Sequence, residues 1–175
     1  MTTWVYVDET KRAGYVMAAV TVADLAAVRR VIRASVQPGN RRLHMVDERP
    51  RHRPGIVSAL VATPISAIIY DAGRSYRTDR EARSACLDAI VADVAGTSGD
   101  TCLVFEEDAT LVSHDNQRLI EAIRATGQRE TLHYKHLRAH EEMLLALPDM
   151  AAWCWVRSAE WRRRIAPILT AVRVV

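Results

Sequence analysis

The chain has 175 residues, 49% hydrophobic and 26% charged; this excludes a disordered chain and is enough for one domain with a substantial core. Lys+Arg exceed Asp+Glu by only 24 to 21, too little to define a polybasic protein. No apolar run approaches the roughly 18 residues of a membrane-spanning helix.

The first predicted element is a strand over residues 4–8, Trp-Val-Tyr-Val-Asp. It is short, rich in β-branched and aromatic residues, and ends in the carboxylates of Asp8 and Glu9. No basic segment leads into an apolar signal before it, so a cytoplasmic location is the default expectation. A second strand, Tyr15 to Val22, follows a short polar turn with Gly14 in it, and the two predict an antiparallel hairpin. Ala23-Asp24 opens a helix with Leu25, Val28, Ile32 and Val36 on one face and Arg29, Arg30 and Arg33 on the other. Gln37-Pro38-Gly39-Asn40 stops it.

Residues 41–53 carry His44, Asp47 and Glu48 and the arginines Arg41, Arg42, Arg49, Arg51 and Arg53. Leu43 to Glu48 fits a short strand or a loop. Arg49, Arg51 and Arg53 form a basic piece between Pro50 and Pro54 that suits phosphate binding, although a solvated loop has the same composition. Pro54 fits the first turn of a helix with Ile56, Val57, Leu60 and Val61 on its apolar face. Ile65 to Tyr70 is a buried strand ending at Asp71.

Thr78-Asp79-Arg80-Glu81 has the capping-box spacing and starts a helix with Leu87, Ile90, Val91 and Val94 inward. Thr101 to Glu106 repeats the pattern of the first strand, an apolar run ending in acids: Glu106, Glu107 and Asp108. Ser113 is the expected cap of the next helix, with Leu119, Ile120 and Ile123 buried and Gly127 closing it. Thr131 to Lys135 reads as the fifth and last strand. On it His133 and Lys135 share a face, and His136 and His140 follow. Glu141 to Leu147 is ambiguous. Pro148 then fits the first turn of a helix carrying Asp149, Trp153 and Val156, and Trp161 to Leu169 reads as a further helical piece. Cys86, Cys102 and Cys154 lie in apolar segments without metal-ligand spacing and read as reduced core residues.

A hairpin followed by strands alternating with helices predicts an α/β domain with a mixed five-stranded sheet and helices on both faces. With an antiparallel meander on one side and right-handed crossovers on the other, the spatial order is third, second, first, fourth, fifth. The switch point then falls between the first and fourth strands, where ligands favour the crevice. Asp8 and Glu106 end those two strands and are expected about 5 Å apart at one edge. Carboxylates so placed repel unless a hard cation such as Mg²⁺ joins them.

This order of elements, with an Asp ending the first strand, an acid ending the fourth and an Asp on a late helix, resembles the ribonuclease H-like fold. The Asp8-Glu9-Thr10-Lys11 end and the Leu147-Pro148-Asp149-Met150 segment also resemble, loosely, a bacterial family of unknown function assigned to that fold. Its first strand ends Asp-Glu-Ser-Gly and its late segment holds an Ala-Asp pair. The resemblance implies one ribonuclease H-like domain over 1–175 and metal-dependent phosphodiester hydrolysis, with Asp8, Glu106 and Asp149 holding Mg²⁺ or Mn²⁺. His133 and Lys135 are expected near the acidic edge, where they could shuttle protons or hold a phosphate, and His44 is a further catalytic candidate. DNA or RNA is the expected partner, with Arg49, Arg51 and Arg53 on its phosphates. Trp153, Trp155 and Trp161 suit a core or an interface between copies in a homo-oligomer better than base stacking. The competing expectation is a non-catalytic protein of the same fold that binds nucleic acid or a protein partner. An unrelated small-molecule enzyme has no Gly-rich phosphate loop, dinucleotide fingerprint or nucleophile elbow to support it.

Overall fold

Period-two alternation decides the architecture. In the computed structural model, which describes residues 1–175, β1 (Thr3–Thr10) pairs antiparallel with β2 (Tyr15–Val22), and β2 with β3 (Ile65–Gly73). On the other side of β1, β4 (Thr101–Glu106) is parallel to it, and β5 (Leu132–Leu137) is parallel to β4. These five strands stand in the order expected from the sequence. The expected count of five is corrected to six: β6 (Leu169–Val174) adds to β3 in parallel, giving β5-β4-β1-β2-β3-β6. The helical reading through Leu169 fails at Pro167. A 3-10 turn over Ala166–Ile168 holds that proline, and the β-branched run behind it is extended.

The sheet is apolar on both faces. Tyr6, Val16, Ala18 and Val20 enter one core, and Val5, Val7, Met17 and Ala19 enter the other. The first core is closed by α1 (Leu25–Ser35), α2 (Arg53–Val61), α5 (Ala146–Arg157) and α6 (Ala159–Ile165), and the second by α3 (Asp79–Val94) and α4 (Val112–Thr126). Asp24 caps α1 by accepting from the Ala27 N–H, and Thr78 and Glu81 form the expected capping box on α3. Ser113 is not a cap. Helix α4 begins one residue earlier, led in by Asp108, which accepts from the Thr110 N–H and hydroxyl. Gly127 ends α4 in the left-handed conformation, φ 73°.

Residues 41–52 are a loop rather than a strand, pinned because Leu43 and Met45 are buried in the first core, and Arg53 opens α2. The three cysteines are buried free thiols. No helix is long and apolar enough to cross a membrane.

Candidate functional site

The hydrophobic registry of β1 and β4 places the acids. Val7 aligns with Phe105 across the parallel pair, so Asp8 and Glu106 come next on adjacent strands at the same edge. Alternation puts both on the face of Tyr6 and Val104, the face covered by α5. Helix α5 starts above this edge and brings Asp149 over it, because Leu147, Met150, Ala151 and Cys154 must be buried below. The three carboxylates line one pocket of about 470 Å³ together with Thr10, His44 and Trp153. It lies beside β1 and β4, where the chain order reverses across the sheet, the position at which α/β sheets bind ligands.

The electrostatics of the pocket are those of crowded acids. Burial raises the Asp8 carboxyl well above its ordinary range, and the charges of Glu106, Glu9 and Asp149 raise it further. The Glu9 N–H donates to Asp8 Oδ1 at 2.8 Å and offsets part of this. Asp149 is also raised by burial, against the lowering effects of His44 and of the Met45 N–H, which donates to its Oδ2 at 2.7 Å. Glu106 Oε1 accepts from Arg42 at 3.3 Å. His44 Nε2 faces Asp149 at 3.5 Å, while its Nδ1 bonds Asp47 at 3.0 Å and fixes the ring. Thus the 41–52 loop lays Arg42 and His44 against the acids.

A hard divalent cation suits this donor set in chemistry: three carboxylates lining one pocket, whose crowding a cation would relieve. As they stand, no three His, Cys, Asp or Glu side chains converge closely enough to hold a metal ion. The contacts already described give the reason, since Glu106 is drawn to Arg42 and Asp149 to the Met45 N–H. The fit is therefore one of residue type and wall, with Glu106 turned toward arginine.

The other residues singled out by the sequence lie elsewhere. The Lys135 ammonium sits 4.7 Å over the Trp4 ring, beside Val104 in register and off the pocket lining. That corrects the expectation that it reaches the acidic edge. Arg49 and Arg51 are exposed on the loop. Arg53 is a structural brace: its Nε and Nη2 donate to the carbonyls of Met45 and Val46 at 3.0 Å, and its guanidinium lies 5.0 Å from the centre of the Trp153 ring. Trp153 is itself buried and edge-on to Trp161 at 4.9 Å. Asp71 accepts from Trp155 Nε1 and the Gly73 N–H, a role in packing.

On the opposite face the sequence reading missed a buried charge network. Arg83, 1% exposed, makes two bonds of 2.7 Å to Asp115, a 2.8 Å ion pair with Glu9 and a bond to the Tyr15 hydroxyl. His136 Nε2 lies 3.3 Å from Asp115. Burial pushes the Asp115 carboxyl up, but hydrogen bonds from His136 and Arg83 outweigh it and hold it at about 2. Arg83 falls three and four residues before Cys86 and Leu87, and Asp115 four before Leu119. Opposite charges on the apolar faces of two helices were the available signal. Through Arg83 the network also holds Glu9, the neighbour of Asp8.

No protein-family model matches the chain, and no curated protein matches it.

Proposed function

We propose that the protein is a metal-dependent phosphodiester hydrolase, a nuclease, of ribonuclease H-like fold. The observation that carries the proposal is the placement of Asp8 and Glu106 on adjacent parallel strands at the switch point, with Asp149 facing them from α5 across a polar pocket. Asp8, Glu106 and Asp149 would hold Mg²⁺ or Mn²⁺ once Glu106 leaves Arg42. A cation there supplies an activated water and charge stabilisation at the leaving oxygen. His44, oriented by Asp47, presents Nε2 to the pocket and can carry a proton to or from the reacting oxygen. Arg42, released by Glu106, is placed to meet a phosphate oxygen. Arg49 and Arg51 offer further charge to a DNA or RNA strand on the loop side.

The second reading, a non-catalytic binder of nucleic acid or a protein partner, is favoured by one observation. Arg42 and His44 already contact Glu106 and Asp149 without any added ion. Cleavage of labelled DNA and RNA in Mn²⁺ separates the two. The hydrolase reading expects cleavage by the unmodified protein and collapse in Asp8→Asn with substrate binding retained. Undiminished cleavage by Asp8→Asn rules the mechanism out, and no cleavage of any substrate by the unmodified protein favours the binder.

A further inference from the structure

Beside the acidic pocket lies a second cavity of opposite charge, about 240 Å³, between the β1–β2 turn and the β3–α3 loop. Its wall holds Lys11, Arg12, Arg74 and Tyr76, with Asp79 as its one carboxylate. The three cations are exposed, and none forms a salt bridge, whereas nearby Arg77 and Arg83 are paired to Glu81 and Glu9. Tyr76 is 37% exposed, one of the few large apolar side chains on the surface. The cavity is built by close approach of two loops. Gly14 has φ 112°, and a Cβ there would lie 2.6 Å from the Gly73 carbonyl oxygen. Only glycine allows the 11–14 turn to rest on Gly73 and bring Lys11 and Arg12 beside Arg74.

The two cavities adjoin. Thr10 lines the acidic pocket and Lys11, the next residue, lines the basic one. Glu9 belongs to the first, and through Arg83 it is tied to Tyr15, which belongs to the second. A polyanion lying across both cavities meets repulsion at the first, relieved there by a cation, and attraction at the second.

We propose that this cavity binds a nucleotide of a single-stranded nucleic acid next to the one in the acidic pocket. Lys11, Arg12 and Arg74 take its phosphate oxygens and Tyr76 stacks on its unpaired base. Positive charge beside an exposed aromatic ring is the combination that recognises single strands without regard to sequence. At the N-terminus of α3 the N–H groups of Thr78 and Glu81 are already taken up by the capping box. The inference rests on the nucleic-acid reading above and adds the strand type and the side on which the strand leaves the site.

The test is fluorescence anisotropy of a labelled single-stranded oligonucleotide of about twelve nucleotides, in chelator, so that binding is read apart from cleavage. Removing three phosphate contacts in Lys11→Ala/Arg12→Ala/Arg74→Ala lowers the log–log salt slope by about two units, at about 0.7 per contact. Tyr76→Ala weakens binding by about tenfold with the slope unchanged, and Tyr76→Phe restores it. Arg173→Ala, which removes a β6 cation paired to Asp93 of α3, changes neither. Equal affinity and slope in the triple variant overturn the proposal, as does failure of the unmodified protein to bind the strand. Tighter binding of duplex than of single strand overturns the stacking role of Tyr76. Loss of cleavage with chelator binding intact would count against the acidic pocket alone and leave this site standing.

Discussion

Replacing Asp8 by Asn removes one charge from a crowded wall while keeping the size of the side chain and its hydrogen bond from the Glu9 N–H, since the amide oxygen also accepts. Two full charges about 5 Å apart repel by about 3 kcal/mol at an effective dielectric of about 20. The guanidinium of Arg42, 3.3 Å from Glu106, offsets part of this. The expected gain for the metal-free protein is then about 1–2 kcal/mol at neutral pH, or about 2–8 °C in Tm for a chain of this size. The sign follows from the raised Asp8 carboxyl. A raised acid contributes stability below its unfolded pKa and loses it as pH rises through the folded value. The gap between variant and unmodified protein therefore closes in acid and opens toward neutral pH. Mn²⁺ reverses the order: at about a hundred times Kd it adds about 2.7 kcal/mol to the protein that binds it and nothing to the variant. The assay is thermal melting of both proteins, in chelator and in Mn²⁺. An Asn variant that melts at or below the unmodified protein in chelator, or an equal Mn²⁺ shift in both, refutes the reasoning.

Arg83→Met leaves the buried Asp115 and the half-buried Glu9 without their arginine and should cost about 3–5 kcal/mol in a denaturant titration. Because Asp115 is held at about 2, its contribution is present above the ordinary carboxylate range and lost as pH falls from about 4 toward 2. Acid unfolding of the unmodified protein should show that dependence, and Asp115→Asn should lack it. Arg42→Ala frees Glu106 and should tighten Mn²⁺ binding several-fold by calorimetric titration. Arg53→Ala should lower stability by about 1–3 kcal/mol through lost carbonyl bonds and the Trp153 contact, whether or not nucleic acid is present.

Much of the fold was legible because burial on both faces forces apolar runs. Trp4 to Val7, Val16 to Val20 and Cys102 to Phe105 have no other reading at their length, and the two acid-ended strands fell at one edge as their parallel pairing requires. β6 was not legible because it is an edge strand with Thr170, Val172 and Val174 exposed, behind a helix whose end depends on Pro167. Asp8, Glu106, Asp149 and His44 do line one pocket; strand order pointed to the first two and the family resemblance to Asp149. The contacts of Arg42 and Arg53 were not legible, since a loop of alternating arginines gives no periodicity from which to tell an ion pair from a solvated charge. Lys135 was misplaced for a different reason. Alternation gave its face correctly, but its depth along β5 depends on the register with Val104, which the sequence does not carry.

The central claim is that Asp8, Glu106 and Asp149 jointly bind a divalent cation. An anomalous difference map from crystals of the protein soaked in Mn²⁺ tests it most directly. The account predicts a peak about 2.0–2.3 Å from carboxylate oxygens of all three residues, with Glu106 turned away from Arg42. A map with no peak in this pocket, and Glu106 still on Arg42, would contradict it.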